Sequence, residues 1–88
     1  MKLIGKFCSR EVLGEVVAIP VEEALEHFSG ILSTNELGRF LLEQLQEDQT
    51  AESLTRAVLE EYEVDEETAA RDVEEFLQKL REHELLLS

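Results

Sequence analysis

Cys8, His27 and His83 are the side chains in this sequence best suited to nucleophilic or metal chemistry. A thiol and an imidazole can act as nucleophile and base. Cys8, however, falls inside "KFCSREV", which reads as a β-strand, and no glycine-rich turn or oxyanion-donor pattern stands near it. A structural thiol is the better reading. One cysteine and two widely separated histidines have no ligand spacing of the kind that zinc or iron–sulfur sites use. The acidic pairs Glu22-Glu23, Glu60-Glu61, Glu66-Glu67 and Glu74-Glu75 invite a reading as acid/base dyads. Sequence neighbours project about 100° apart on a helix, so these pairs describe solvated faces. Neither G-x-x-x-x-G-K-[ST] nor G-x-G-x-x-G occurs, so nucleotide binding has no support. No catalytic residue, cofactor or metal is assigned, and the chain is not read as an enzyme.

Charge narrows the partners. Twenty-one acidic against eight basic residues leave a net charge of −13, a field that repels phosphate backbones. The last predicted helix carries Arg71, Gln78, Lys79 and Arg81, the residue types that read DNA. It also carries Glu66, Glu67, Asp72, Glu74, Glu75 and Glu82, so nucleic acid is not an expected partner. No stretch approaches the roughly 18 consecutive apolar residues of a membrane span. The start, "MKLIGKFCSREV", lacks an apolar signal core with a cleavage site. A single cysteine agrees with a reducing compartment, and the expected location is the cytoplasm. Eighty-eight residues, 43% of them hydrophobic and 33% charged, suit one globular domain over 1–88 that buries about 60–65% of its unfolded surface.

The elements that must position any functional side chain change in type near Ser33. Before it, "KFCSREV" and "EVVAIPV" read as two strands joined at Leu13-Gly14, and the second should stop at Pro20, which has no amide to donate. "VEEALEHFSG" spaces Val21, Ala24, Leu25 and Phe28 helically over a length that supports only a turn or an ordered loop. Residues 30–34 form the third strand candidate. Asn35 then caps a helix with Leu37, Phe40, Leu41 and Leu45 on one face. Thr50 caps a second, with Leu54, Val58 and Tyr62 inward. Asp65 caps a third, where Ala69, Val73, Phe76, Leu77 and Leu80 form the clearest amphipathic face in the chain. "LLLS" should pack back as an extended tail. The class is α+β: a winged helix-turn-helix-like chain with a three-stranded antiparallel sheet followed by a three-helix bundle.

An outer strand of such a sheet leaves main-chain N–H and C=O groups unpaired. The hairpin strands bring Glu and Arg near their edges, whereas "GILST" has no charge and no proline. As an edge, it suits an extended peptide that adds as a further strand, held by main-chain hydrogen bonds and selected by side-chain pockets. Periodicity alone leaves it equally an interior strand.

Four segments, "REVLGEVVAIPV", "GILSTNELG", "EEYEVDEETA" and "RDVEEFLQKLREHELL", together resemble the PqqD-like family, the small winged-helix modules also called RiPP recognition elements. The resemblance spans residues 7–86. It implies a non-catalytic module that binds the leader of a ribosomally made precursor peptide and presents it to a modifying enzyme, often a radical SAM protein, or to a leader peptidase. In that family the leader adds antiparallel to the third strand and lies against the third helix. Carried over, the strand residues are Ile31, Leu32, Ser33 and Thr34, and the wall comes from the Asp-Val-x-x-Phe-Leu segment, with Phe76. The pattern offers two flanks of that helix, one with Asp72, Glu75 and Lys79 and the other with Ala70, Glu74 and Arg81; the first is taken here. Relatives read Leu-Asn-Glu-Thr where this chain has Thr34-Asn35-Glu36-Leu37, and a usual aromatic is absent at Leu42. An edge that accepts a peptide can also pair with a second copy, so a homodimer through this strand is a further expectation. The rival reading is an acidic winged-helix adaptor for a folded protein, for example in transcription control.

Overall fold

A computed structural model describes residues 1–26 and 30–87. The expectations for His27 and Phe28 lie outside those residues. The hairpin forms as β2 (Lys6–Val12) and β3 (Glu15–Val21), after a short β1 (Lys2–Leu3). Its two-residue turn places Leu13 at φ 51° and Gly14 at φ 85°, the left-handed pair that lets a tight hairpin follow the strand twist. Side chains of β3 alternate, with Val16, Ala18 and Pro20 buried. A single 3₁₀ stretch, Glu22–Glu26, follows and buries Ala24, whereas Leu25 is exposed.

The third main strand, β4 (Leu32–Thr34), pairs antiparallel with β3, Leu32 opposite Ala18 and Thr34 opposite Val16. Sheet order is β2-β3-β4, so β4 is an edge strand. It is shorter than the expected 30–34. Gly30, at φ 118°, bends the chain ahead of it, and Ile31 stays 60% exposed outside the ladder.

One further expectation needs correction, and another is borne out with an addition. Pro20 does not end β3, which continues to Val21 and pairs Pro20 with Phe7. Pro20 shares its ladder parity with Val16 and Ala18, and β4 ends opposite Ala18, so an amide on the β4 side would have met no acceptor there. The tail is also more than packing. Leu85 is fully buried, and β5 (Leu86–Leu87) pairs with β1 in a second, two-stranded sheet. That sheet is tied to α1 by Leu3 N–H donating to the carbonyl of its C-cap Leu45 at 3.0 Å, and Ile4 N–H donating to the Leu85 carbonyl at 2.8 Å extends the pairing of the two chain ends.

Helices α1 (Glu36–Gln44), α2 (Ala51–Glu61) and α3 (Glu66–Glu82) start at the three expected caps. Asn35 accepts from Gly38 N–H at 2.9 Å, and Thr50 and Ser53 exchange reciprocal bonds of 2.9 Å. Asp65 accepts from Thr68 N–H at 2.7 Å. The α3 stripe of Ala69, Val73, Phe76, Leu77 and Leu80 is buried throughout. Leu41 of α1 and Leu45 at its C-cap are buried, while Leu37 and Phe40 are half-buried. Phe40 meets the half-buried Tyr62 edge-on, ring centroids 5.6 Å apart. Leu42, not expected on the inner face, is buried as well. No polar or charged side chain is buried among the described residues, so the acidic surplus is carried outside an apolar core.

Two predictions test this framework. Leu77→Ala removes a fully buried side chain and should cost about 3 kcal/mol in denaturant unfolding, whereas Leu25→Ala should stay within about 0.5 kcal/mol. The hydrogen bond from Thr68 holds the Asp65 carboxyl below its usual range. A depressed carboxylate adds stability above its unfolded pKa and loses it as pH falls through the folded value. Asp65→Ala should therefore be less stable than the parent at neutral pH, and the two unfolding curves should converge in strong acid.

Candidate functional site

The chain passes from β4 to α1 through one residue. Asn35 is still extended, at φ −134° and ψ −174°, yet its side chain already caps the helix at Gly38. The first turn of α1 is thereby held against the end of β4. A Cβ on Gly38 would overlap the Thr34 hydroxyl and stand 3.0 Å from the Phe76 ring, so only glycine allows this approach. Glycine inside a helix is disfavoured by about 1 kcal/mol relative to alanine, and here close packing is the compensating reason. The short Thr34 side chain fits over Gly38, and Leu37 turns half-buried toward the open space beside it.

That space is a cleft of about 300 Å³ between the end of β4, α1 and α3. Leu37, Gly38, Leu41 and Phe76 give it apolar walls, and Asp72, Glu75 and Lys79 of α3 complete the lining with Thr34 and Asn35. Asp72 is half-buried and Glu75 exposed. Lys79 reaches across the cleft, its ammonium donating to the Ser33 carbonyl at 2.6 Å. Among the described residues the ion pairs are Arg81 with Glu74 at 3.0 Å and the N-terminal ammonium with Asp48 at 2.6 Å, neither of them in the cleft.

The main chain of β4 can be oriented from these contacts. Amide and carbonyl of a residue in an antiparallel strand project to the same side, and successive residues alternate. The Ser33 carbonyl is taken by a group from α3, so Ser33 faces away from β3, while Leu32 and Thr34 face it. This parity also turns Val17 and Ile19 toward β2 and leaves Pro20 on the side where no strand stands, in agreement with its tolerated place in β3.

Each expected site residue now has a place. Thr34, Asp72, Glu75, Phe76 and Lys79 line one cleft, and Ser33 joins it through its carbonyl. Leu32 is 3% exposed, its side chain committed to the core. Ile31 lies just beyond the strand, exposed and outside the cleft lining. On the opposite flank of α3, Ala70 and Glu74 line a separate depression against α2. Leu37, Gly38 and Leu41 were not among the expected site residues. Gly38 carried a readable signal, a glycine in the first turn of an otherwise well-formed helix; the two leucines are indistinguishable from core residues by type and spacing. Cys8 is exposed on β2 and His83 is exposed at the C-terminal cap of α3. No group of three or more His, Cys, Asp or Glu side chains is placed to hold a metal ion among the described residues, and no helix among them is long and apolar enough to cross a membrane.

A solved structure shares this fold. The solved structure of TbiB1 in complex with the TbiA(beta) leader peptide matches with a TM-score of 0.68 at 28% sequence identity, covering 98% of this chain and 94% of that one. No curated protein sequence matches the chain. The family model for coenzyme PQQ synthesis protein D (PqqD) matches residues 15–86, most of the chain. The chain belongs to the PqqD family.

Proposed function

We propose that this protein is a non-catalytic peptide-binding module that takes up the leader of a ribosomally synthesised precursor by adding it as a strand to β4. The observation that carries this reading is an edge strand, uncharged along its own side chains, that borders an open cleft walled by α1 and α3. The likeness to TbiB1 bound to a leader peptide supports the same reading. Backbone groups of Ser33, with Ile31 at the open end of the strand, supply hydrogen bonds that do not depend on the side chains of the leader. Thr34, Phe76 and the apolar wall of α1 receive its inward side chains, and Asp72, Glu75 and Lys79 border them. The module then presents the bound precursor to a modifying enzyme, a radical SAM protein or a leader peptidase, in the cytoplasm where the precursor is made. Without a leader, the same edge can pair with a second copy of the chain. Binding a folded basic partner through the −13 surface is the competing reading, and ionic strength separates the two.

Two measurements follow. Titrating isotope-labelled protein with synthetic TbiA(beta) leader peptide should shift the amides of Ile31, Ser33 and Thr34 together with those of α3 around Asp72–Lys79, with little dependence on salt. Shifts confined to the β2–β3 hairpin, or affinity that collapses on adding salt, would sink the proposed site. Gly38→Ala forces Thr34 and Phe76 apart from α1 and should weaken leader binding about tenfold or more while the helical circular dichroism is kept; unchanged affinity in a folded variant would show that the cleft is not used.

A further inference from the structure

Lys79 holds the one outward carbonyl that β4 presents within its paired length. An added strand must bring an amide N–H to that same oxygen. The geometry points to Lys79 as an internal stand-in for the missing strand: its ammonium satisfies the Ser33 carbonyl while the edge is empty, and an incoming leader has to displace it. This rests on the leader-binding reading above and adds a step to it. The contact joins residues 46 apart in sequence, and it tethers α3 to the rim of the sheet across the mouth of the cleft. A second copy pairing at this edge would have to displace the same ammonium, which hinders self-pairing, a use that lysine commonly serves at sheet edges.

Once displaced, the ammonium has a partner one helical turn back. Glu75 stands four residues before Lys79 on the same flank of α3, the favourable order for a helical ion pair, and both side chains line the cleft. Glu75 thus receives the charge that the leader releases. The outward carbonyl exchanges a side-chain donor for a main-chain donor, and the lysine exchanges a carbonyl for a carboxylate. Lys79 acts here as a positioning residue that sets how readily the edge opens, and Glu75 as the support for its open state.

The full chain and synthetic TbiA(beta) leader peptide test this by association and dissociation kinetics. Lys79→Met keeps the length of the stem and removes the donor. It should bind the peptide about three- to tenfold more tightly, with the gain in the association rate, because the fraction of protein with a free edge rises. Lys79→Arg, which retains a donor, should stay near the parent. Glu75→Gln should weaken binding more in the parent than in the Lys79→Met background, the coupling that a shared step requires. Parent binding with no gain in Lys79→Met, or a loss through faster dissociation, overturns the stand-in role and leaves the leader-binding reading intact. Absence of binding by both parent and Lys79→Met overturns both.

Discussion

How near α1 can lie to β4 governs the cleft, because the chain turns from strand to helix within a single residue. At Gly38 a hydrogen occupies the position where any other residue would place a Cβ, and the Thr34 hydroxyl and the edge of Phe76 fill the space that this leaves. With the helix seated there, Leu41 reaches the core and Leu37 faces the cleft. Phe76 belongs at once to the buried stripe of α3 and to the wall of the cleft, so the packing that stabilises the domain also shapes the cleft. A bulkier residue at position 38 would have to push the strand, the helix or the ring, and any of these movements alters the edge of β4.

An open sheet edge is usually a liability, and several features of this molecule limit it. β4 is three residues long, it presents one outward residue within its ladder, and an ammonium already holds that residue's carbonyl. The surrounding surface is strongly acidic, which opposes close approach of a second copy without burying any charge. The result is an edge available to a chain that supplies good main-chain geometry and apolar side chains for the cleft.

Different parts of this structure were readable from sequence to different degrees. The α3 stripe is fully specified by its 3.6-residue period, and the caps Asn35, Thr50 and Asp65 are local signals that act within three residues. The β2–β3 hairpin announces itself by β-branched runs about Leu13-Gly14. By contrast, β1 and β5 contribute two residues each from opposite ends of the chain, too short for any periodic signal. Pro20 misled because a missing donor matters only on a side where a neighbouring strand stands. Leu42 was missed because it lies beside Phe7 and Ser9 of β2, off the main stripe of α1, a neighbour that the helical period does not record.

The sequence by itself determined the order and type of the elements, their caps, the inward face of α3, the absence of charge in the third main strand and the family resemblance. These depend on interactions within about four residues, or on composition, which the linear order records. Only the tertiary structure decided that β4 lies at the sheet edge, that the Asp72, Glu75 and Lys79 flank of α3 faces it, and that Lys79 reaches the Ser33 carbonyl. Those facts depend on the relative rotation and separation of elements distant in sequence. Side-chain packing sets that arrangement at points such as Gly38, and no period along the chain encodes it.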